Sequence, residues 1–439
     1  MSNNTFREFI GKLAKDGRLI RAKRPVSKNL DLAGLMHALD GSPVFVQDVP
    51  DSAYPAVGNV FSTRELVCDY LGITRGQLMP KLVEAINNPS KPEALGEQEA
   101  ASAPVLENRV DSVDLSCLPI PLHAEHDGGP YLSSAIVIAK DKELGQNMSF
   151  HRMMVIGKDT VAVRILHRHL DEFIKRAGGE LDVAVVVGAP INVLLAAAVS
   201  SKLGQDEMEY ANALAPLRLV ELPGTGIMVP ADAEFAFEAR ITGELHDEGP
   251  FIDLTETYDV VRKQQVMVFK KMYHRDGAMW HVLLPGGLEH KVLMGMPREP
   301  TIFAEVDKVA MCRGVNITPG GCSWLHAVVS IAKKNEDDGK KAIEAAFAGH
   351  KSLKHVVIVD DDIDPDNPAE VEWAVATRVQ ADRDAVIKSG QKGSSLDPSA
   401  DPHTYATAKM GIDATKPLMA HGKNFEKAQW KKIAPGEYV

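Results

Sequence analysis

The sequence predicts an α+β chain of several domains, and three observations carry that expectation. The first segment opens with a helical pattern. The middle is a succession of short apolar runs bounded by Gly, Pro and Asp, with few helices between them. Beyond about Pro300 strand-like runs alternate with a helix, the pattern of an α/β layer. A length of 439 residues allows two or three domains.

In chain order, Phe6, Phe9, Ile10 and Leu13 recur at three- and four-residue spacing, so a helix opens the chain and Asp16-Gly17 ends it. LIRAK and PVFVQDV then read as strands. Residues 88–104, rich in Pro, Glu and Ala, read as a surface crossing between packed regions. SSAIVIAKD, SFHRMMVIG, TVAVRIL, VAVVVG, LRLVEL, GIMVP, FEARITGEL and QQVMVFKKMYH are the strands of the middle. Together they predict a β-barrel or a strongly curved sheet. The longest apolar stretch, Val183 to Val199, is interrupted by Gly188, Pro190 and Asn192. It reads as strand, turn and helix rather than as a membrane span. TIFAEV, HAVVSIA and HVVIVDDD are strand-like, with DDGKKAIEAAFAGH a helix between two of them. KSGQKGSS, DPSADP and KNFEKAQWKK read as an extended tail over the surface or a partner subunit.

Hydrophobic residues make up 45% and charged residues 25%, ordinary globular usage. A net charge of −11 argues against nucleic acid or an anionic membrane as partner. Anionic ligands must then be met by local basic groups. Cys68, Cys117, Cys312 and Cys322 include no CxxC pair, so neither a disulfide framework nor a zinc knuckle is indicated. The start, MSNNTFREFIGKLAKDG, lacks an apolar signal core, and a reducing, cytoplasmic setting is expected.

The stretch from Asn147 to His169 carries most of the chemistry. Two apolar runs flank Gly157-Lys158-Asp159, a hairpin turn, and Asn147 and His169 each lie eleven residues from Lys158. Antiparallel pairing brings such positions face to face. One carboxylate from Asp206, Glu207 or Glu209, which open a helix, would complete an O,N,O set suited to Mn²⁺ or Mg²⁺. Glu248 and Asp253 flank Gly249-Pro250-Phe251, a turn able to hold two carboxylates on one wall, with Arg152 the available cation. Arg152 and Asn147 differ in strand parity, so one irregularity must separate them. Carboxylates sharing one arginine split in acidity, one ionised and one able to donate a proton. Pro285-Gly286-Gly287 then precedes His290, Lys291 and Arg298, a turn suited to a carboxylate or phosphate.

The order NMSFHR, HRH, DEMEYANAL, EGPFID and LPGGLEHKVLMGMPRE resembles the UbiD family of prenylated-FMN-dependent decarboxylases. REFIGKLAKDGRLIR at the start, with VDDDIDPDNPAEVEWAVATR and KMGIDATKP near the end, extends the resemblance over nearly the whole chain. It implies an N-terminal α/β domain over 1–112, a flavin-binding split β-barrel over 113–299 and a C-terminal α/β oligomerisation domain over 300–439. It also implies Asn147, His169 and Glu207 as ligands of Mn²⁺, with K⁺ beside it. Asn147, Ser149, Phe150, His151, Arg152, His169, Glu207 and Lys333 would contact the prenylated FMN, Lys334 competing with Lys333. Arg152, Glu248 and Asp253 would form the catalytic trio, where the family's commoner pattern has Glu in place of Asp253. A flavin prenyltransferase would supply the cofactor, and a homodimer or hexamer is expected.

The activity implied is reversible decarboxylation of an aromatic, heteroaromatic or α,β-unsaturated acid through a covalent adduct with the cofactor. EHKVLMGMPRE resembles the branch acting on heteroaromatic acids, where His290 and Arg298 would bind a second polar group of the substrate. Furan-2,5-dicarboxylate and pyrrole-2-carboxylate lead, with a hydroxybenzoate or a phosphorylated unsaturated acid as alternatives. A split-barrel flavin oxidoreductase and a non-catalytic flavin-binding subunit are the competing classes. Neither has a use for the Arg152, Glu248 and Asp253 trio.

Overall fold

The structure, a computed structural model, describes residues 5–199 and 201–419 with isolated positions between 424 and 436. The chain divides into two compact units. The first takes the residues up to Thr301 with Ile317–His326 and Ser394–Tyr405; the second takes Ile302–Asn316, Ala327–Gly393 and the residues from Ala406 on.

In the first unit the opening helix, Phe6–Lys15, buries Phe6, Phe9, Ile10 and Leu13, the four residues that predict it. Thr5 and Glu8 close a capping box on its first turn, each side chain taking the other's backbone N–H. A four-stranded sheet joins Ile20–Arg21, Val44–Val46 and Ala56–Gly58 to Trp280–Val282. This pairing anchors the chain just ahead of the Pro285-Gly286-Gly287 turn.

LRLVEL and GIMVP, as Arg218–Glu221 and Met228–Pro230, pair in a separate sheet with Glu93–Ala94. Most of the strand-rich middle forms one nine-stranded sheet. Its path runs Tyr131–Leu132, Met153–Val155, Thr160–Val163, Arg262–His274, Phe235–Glu248, Leu181–Val187, Ile136–Asp141 and Gly145–Phe150. Asn108–Val110 pairs with Arg262–His274 off that path. Both faces are covered. Val183, Val185 and Val187 join one core with Phe235, Phe237 and Trp280, while Ala184 and Val186 join another with Ile191 and Leu194. Burial of both faces explains why VAVVVG is continuously apolar rather than alternating.

Among the described residues the two end strands do not pair, so the predicted barrel does not close; the sheet is open. The reason lies at the Gly145–Phe150 edge. Helices His169–Arg176, Ile191–Ala197 and Glu207–Leu214 pack against that strand, and the Met148 N–H donates to the Glu207 carboxylate at 2.8 Å. A side chain takes the place that a further strand would fill.

The second unit holds a five-stranded sheet ordered Met311–Ile317, His326–Ala332, His355–Asp360, Ala406–Asp413 and Ala385–Lys392. The HAVVSIA and HVVIVDDD strands and the DDGKKAIEAAFAGH helix, Asp338–Gly349, are where the sequence puts them. Two expectations are corrected. TIFAEV lies in a helix, Glu299–Asp307, because Ile302 and Val306 are buried four residues apart on one face. The tail is not uniformly extended coil: the KSGQK of KSGQKGSS ends the strand Ala385–Lys392, and KMGID beyond it is an inner strand, parallel to His355–Asp360 and antiparallel to Ala385–Lys392. Of KNFEKAQWKK, Lys423, Glu426 and Gln429 lie outside the described residues, and the described positions belong to no helix or strand. No described helix is long and apolar enough to cross a membrane.

Candidate active site

The long hairpin of Phe235–Glu248 and Arg262–His274 ends with Glu248 paired to Arg262. Between them the chain makes an excursion, Phe251–Ile252 pairing with Tyr258–Asp259. Gly249 adopts a φ of +102°, a conformation that favours glycine. Gly128 closes on this turn, its N–H donating to the Pro250 carbonyl at 2.8 Å.

Arg152 reaches this excursion from the sheet. It lies in a break between the Gly145–Phe150 and Met153–Val155 strands, the irregularity that strand parity demands. Its Nε donates to Glu248 Oε1 at 2.8 Å and its Nη2 to Glu248 Oε2 at 3.0 Å. Nη2 also donates to Asp259 Oδ2 at 2.9 Å, and Nη1 donates to Asp253 Oδ2. Four of the five guanidinium protons are thus committed, and the one left is on Nη1. The guanidinium also lies over the Phe251 ring, 5.0 Å from its centroid. Burial works against its charge, but Glu248, Asp253 and Asp259 outweigh it and hold the pKa above the ordinary arginine value. Glu248 is fully enclosed and accepts the Tyr131 hydroxyl at 3.1 Å, whereas the Asp253 side chain is 18% exposed.

Asn147, His169 and Glu207 also converge, though not as the hairpin geometry predicts. The hairpin has the expected centre, with Val155 opposite Val161, but its ladder ends at Met153 and Val163. Asn147 lies on a strand paired to Ile136–Asp141, opposite Ala139, and His169 opens a helix. Asn147 Nδ2 is 3.4 Å from His169 Nδ1 and 3.1 and 3.0 Å from the two Glu207 oxygens. Of the three acids that open the helix, Asp206 caps it through the Met208 N–H, and Glu207 turns inward. Burial pushes the Glu207 carboxyl up to about 7 and Asp206 up to about 6. Burial, with Arg168 nearby, holds the His169 imidazole below its ordinary pKa. Among the described residues no group of three or more His, Cys, Asp or Glu is arranged to hold a metal. The third member of this set is instead an amide. Its N–H₂ points at the carboxylate and imidazole; the flipped amide presents Oδ1 there and gives an O,N,O set for a hard divalent ion.

Beside this set, His151 engages both ring nitrogens, with the Arg164 carbonyl at 2.9 Å and Ser149 Oγ at 2.9 Å. Phe150 packs against the core. His290 Nδ1 accepts the Gly286 N–H at 3.1 Å, so the neutral ring carries its proton on Nε2. Burial lowers its pKa, and Asp253, Lys291 and Arg152 act on it. Arg298 is 9% exposed, stacks over Trp324 at 5.5 Å and leaves Nε without a partner. Burial, aided by Arg168, lowers it to about 10. Lys291 pairs with Glu256. Lys333, in the second unit, donates to the Lys416 carbonyl at 3.0 Å and pairs with Glu336 at 3.1 Å.

Several partners escape sequence reasoning: Asp259, Arg262, Tyr131, His123 and Ser201, whose hydroxyl donates to Glu207. Only Asp259 and Arg262 leave a trace, as charges closing the excursion that begins at Glu248. His123 leaves its Nδ1 buried without a partner and meets Phe251 edge-on at 6.0 Å.

Three family models match the chain, described as 3-octaprenyl-4-hydroxybenzoate carboxy-lyase N-terminal domain over 10–86, Rift-related domain over 97–288 and C-terminal domain over 291–414. The anhydromevalonate phosphate decarboxylase of Methanothermobacter thermautotrophicus is 41% identical over 425 residues, 95% of this chain and 98% of its own. The UbiD-class enzyme HmfF from Pelotomaculum thermopropionicum, solved with FMN, superposes with a TM-score of 0.94 at 36% identity, covering 99% of this chain and 100% of its own. An evolved dimeric form of that enzyme, solved with prFMN, gives 0.91 at 35% identity and covers 100% of both chains.

Proposed function

The chain belongs to the UbiD family of carboxy-lyases, and from that premise we propose that it removes CO₂ from a phosphorylated α,β-unsaturated carboxylic acid, with prenylated FMN as cofactor. The likeness to HmfF, solved with FMN and prFMN, supports the cofactor. The curated relative named for anhydromevalonate phosphate supports the substrate class.

When bound, prenylated FMN supplies the electron sink that an unsaturated acid lacks. The uncommitted Nη1 proton of Arg152 is offered to the substrate carboxylate, and Glu248 holds the guanidinium in place by two bonds. Asp253, the more open of the two acids, returns a proton to the carbon that loses CO₂. Asn147 Oδ1, His169 and Glu207 would hold Mn²⁺, which with K⁺ would supply positive charge to offset the cofactor phosphate.

The observation that carries the substrate assignment is Arg298, a buried guanidinium with an unpartnered Nε and no carboxylate beside it among the described residues. A buried charge of this kind calls for an anion. The Nε2–H of His290 is a neutral donor suited to the same ligand.

The test is CO₂ release by protein co-produced with a flavin prenyltransferase and supplied with Mn²⁺. Anhydromevalonate phosphate should be turned over, and its dephosphorylated counterpart should lose roughly 10²-fold in kcat/KM. Equal use of the two acids, or preference for furan-2,5-dicarboxylate, overturns the phosphorylated assignment.

A further inference from the structure

We infer that Asp259, braced by Arg262, is a positioning residue that fixes the Arg152 guanidinium and sets the acidity of Asp253. The inference rests on the reading of Asp253 as proton donor and adds a group that the trio does not include. Asp259 Oδ2 receives Arg152 Nη2 at 2.9 Å and Arg262 Nη1 at 2.6 Å. Its Oδ1 receives the Val260 N–H at 2.9 Å, so the carboxylate is held on both oxygens.

Hydrogen-bond accounting gives this contact its consequence. Glu248 takes Nε and one Nη2 proton of Arg152; Asp259 takes the other Nη2 proton. The far edge of the guanidinium is thereby closed, and its one free proton is on Nη1, the nitrogen that meets Asp253. Without Asp259, Nη2 also has a free proton, and a carboxylate could be taken on either nitrogen.

The charges acting here are Arg152, Arg164 and Arg262 against Glu248, Asp253, Asp259 and Asp127. His290 and Lys291 lie beyond Asp253, and the Tyr131 hydroxyl lies on Glu248. Asp259 is thus one more anion than Arg152 and its two trio partners imply, and Arg262 offsets it. A nearby anion favours the protonated carboxylic acid, and a nearby cation disfavours it. Asp259 and Arg262 therefore act on the Asp253 carboxyl with opposite signs.

The two members of the pair should act in opposite directions. A donor works only while protonated, so kcat falls as pH rises through its pKa. Asp259→Asn removes an anion and should move that alkaline limb down by about one unit. Arg262→Gln removes one of the two cations on Asp259 and should move it up. Asp259→Glu, which keeps the charge, should retain the wild-type limb. A readout free of the cofactor is the ¹³C carboxyl titration of Asp253, its resonance identified by its loss in Asp253→Asn; it should shift in the same two directions. Loss of activity in Asp259→Asn with an unmoved limb and an unmoved resonance overturns the inference and leaves a merely structural role. Full activity of Asp253→Asn with a shifted Asp253 resonance in Asp259→Asn overturns the donor reading instead and retains the electrostatic coupling.

Discussion

Glu248 and Asp253 both take bonds from Arg152, yet one is sealed and the other 18% exposed. The proposed roles follow this difference: the sealed carboxylate, held by two guanidinium bonds and a tyrosine hydroxyl, is the anchor, and the more open one the donor. Asp253→Asn in cofactor-loaded protein should lower kcat by roughly 10²–10⁴-fold and leave the flavin absorption spectrum unchanged. Arg298→Met keeps the side-chain length over Trp324 and removes the charge; KM for a phosphorylated acid should rise by roughly 10–100-fold with kcat little changed. The grouping of Arg152, Glu248 and Asp253 was legible because two acids around a Gly-Pro turn call for a cation, and the family resemblance singled out the same three residues. Asp259 was not. Its role depends on Phe251 pairing with Asp259, a two-residue ladder that no periodicity announces.

At the scale of elements, the site depends on where strands stop. The Met153–Val155 and Thr160–Val163 hairpin ends just short of Arg152, whose carbonyl still accepts the Arg164 N–H at 3.1 Å. The side chain is thereby aimed by a ladder that it does not join. The Glu248 turn is set in a similar way, by close approach: a Cβ on Gly128 would lie 2.3 Å from the Gly249 carbonyl oxygen. Gly128→Ala should therefore push that turn away from Arg152. Overpacking of this kind costs about 1–3 kcal/mol. The expected result is a kcat loss larger than the loss of stability explains, read by comparing turnover with urea unfolding. Sequence reasoning found the hairpin and its centre but extended the ladder through Asn147 and His169. What it lacked was the short turn over Lys142, Glu143 and Leu144, which pairs Gly145–Phe150 with the preceding strand Ile136–Asp141 instead. TIFAEV failed for another reason: β-branched content spoke for a strand, and only the burial of Ile302 and Val306 shows the helical face.

At the scale of the whole molecule, six of the nine strands of the large sheet were legible and closure was not, because closure turns on what covers one edge. The same enclosure that opens the sheet to side chains makes stability depend on pH. Burial lowers His123 to about 3 and His151 to about 4, from an ordinary 6.5. Such a group is neutral when folded and takes up a proton when unfolded, so stability is lost as pH falls below 6.5. Each ring should cost about 2 kcal/mol between pH 6.5 and pH 5. Glu207 and Asp206 act oppositely: burial raises them, the folded state takes up their protons first, and acidification stabilises it. The wild-type curve therefore conceals opposed contributions, and a difference measurement separates them. His123→Phe keeps an aromatic ring beside Phe251 and removes one titrating group. In urea unfolding of the first unit, the variant should gain about 2 kcal/mol on wild type as pH falls from 6.5 to 5. A constant difference across that range would mean that His123 takes up its proton in the folded protein, which its buried, unpartnered Nδ1 opposes.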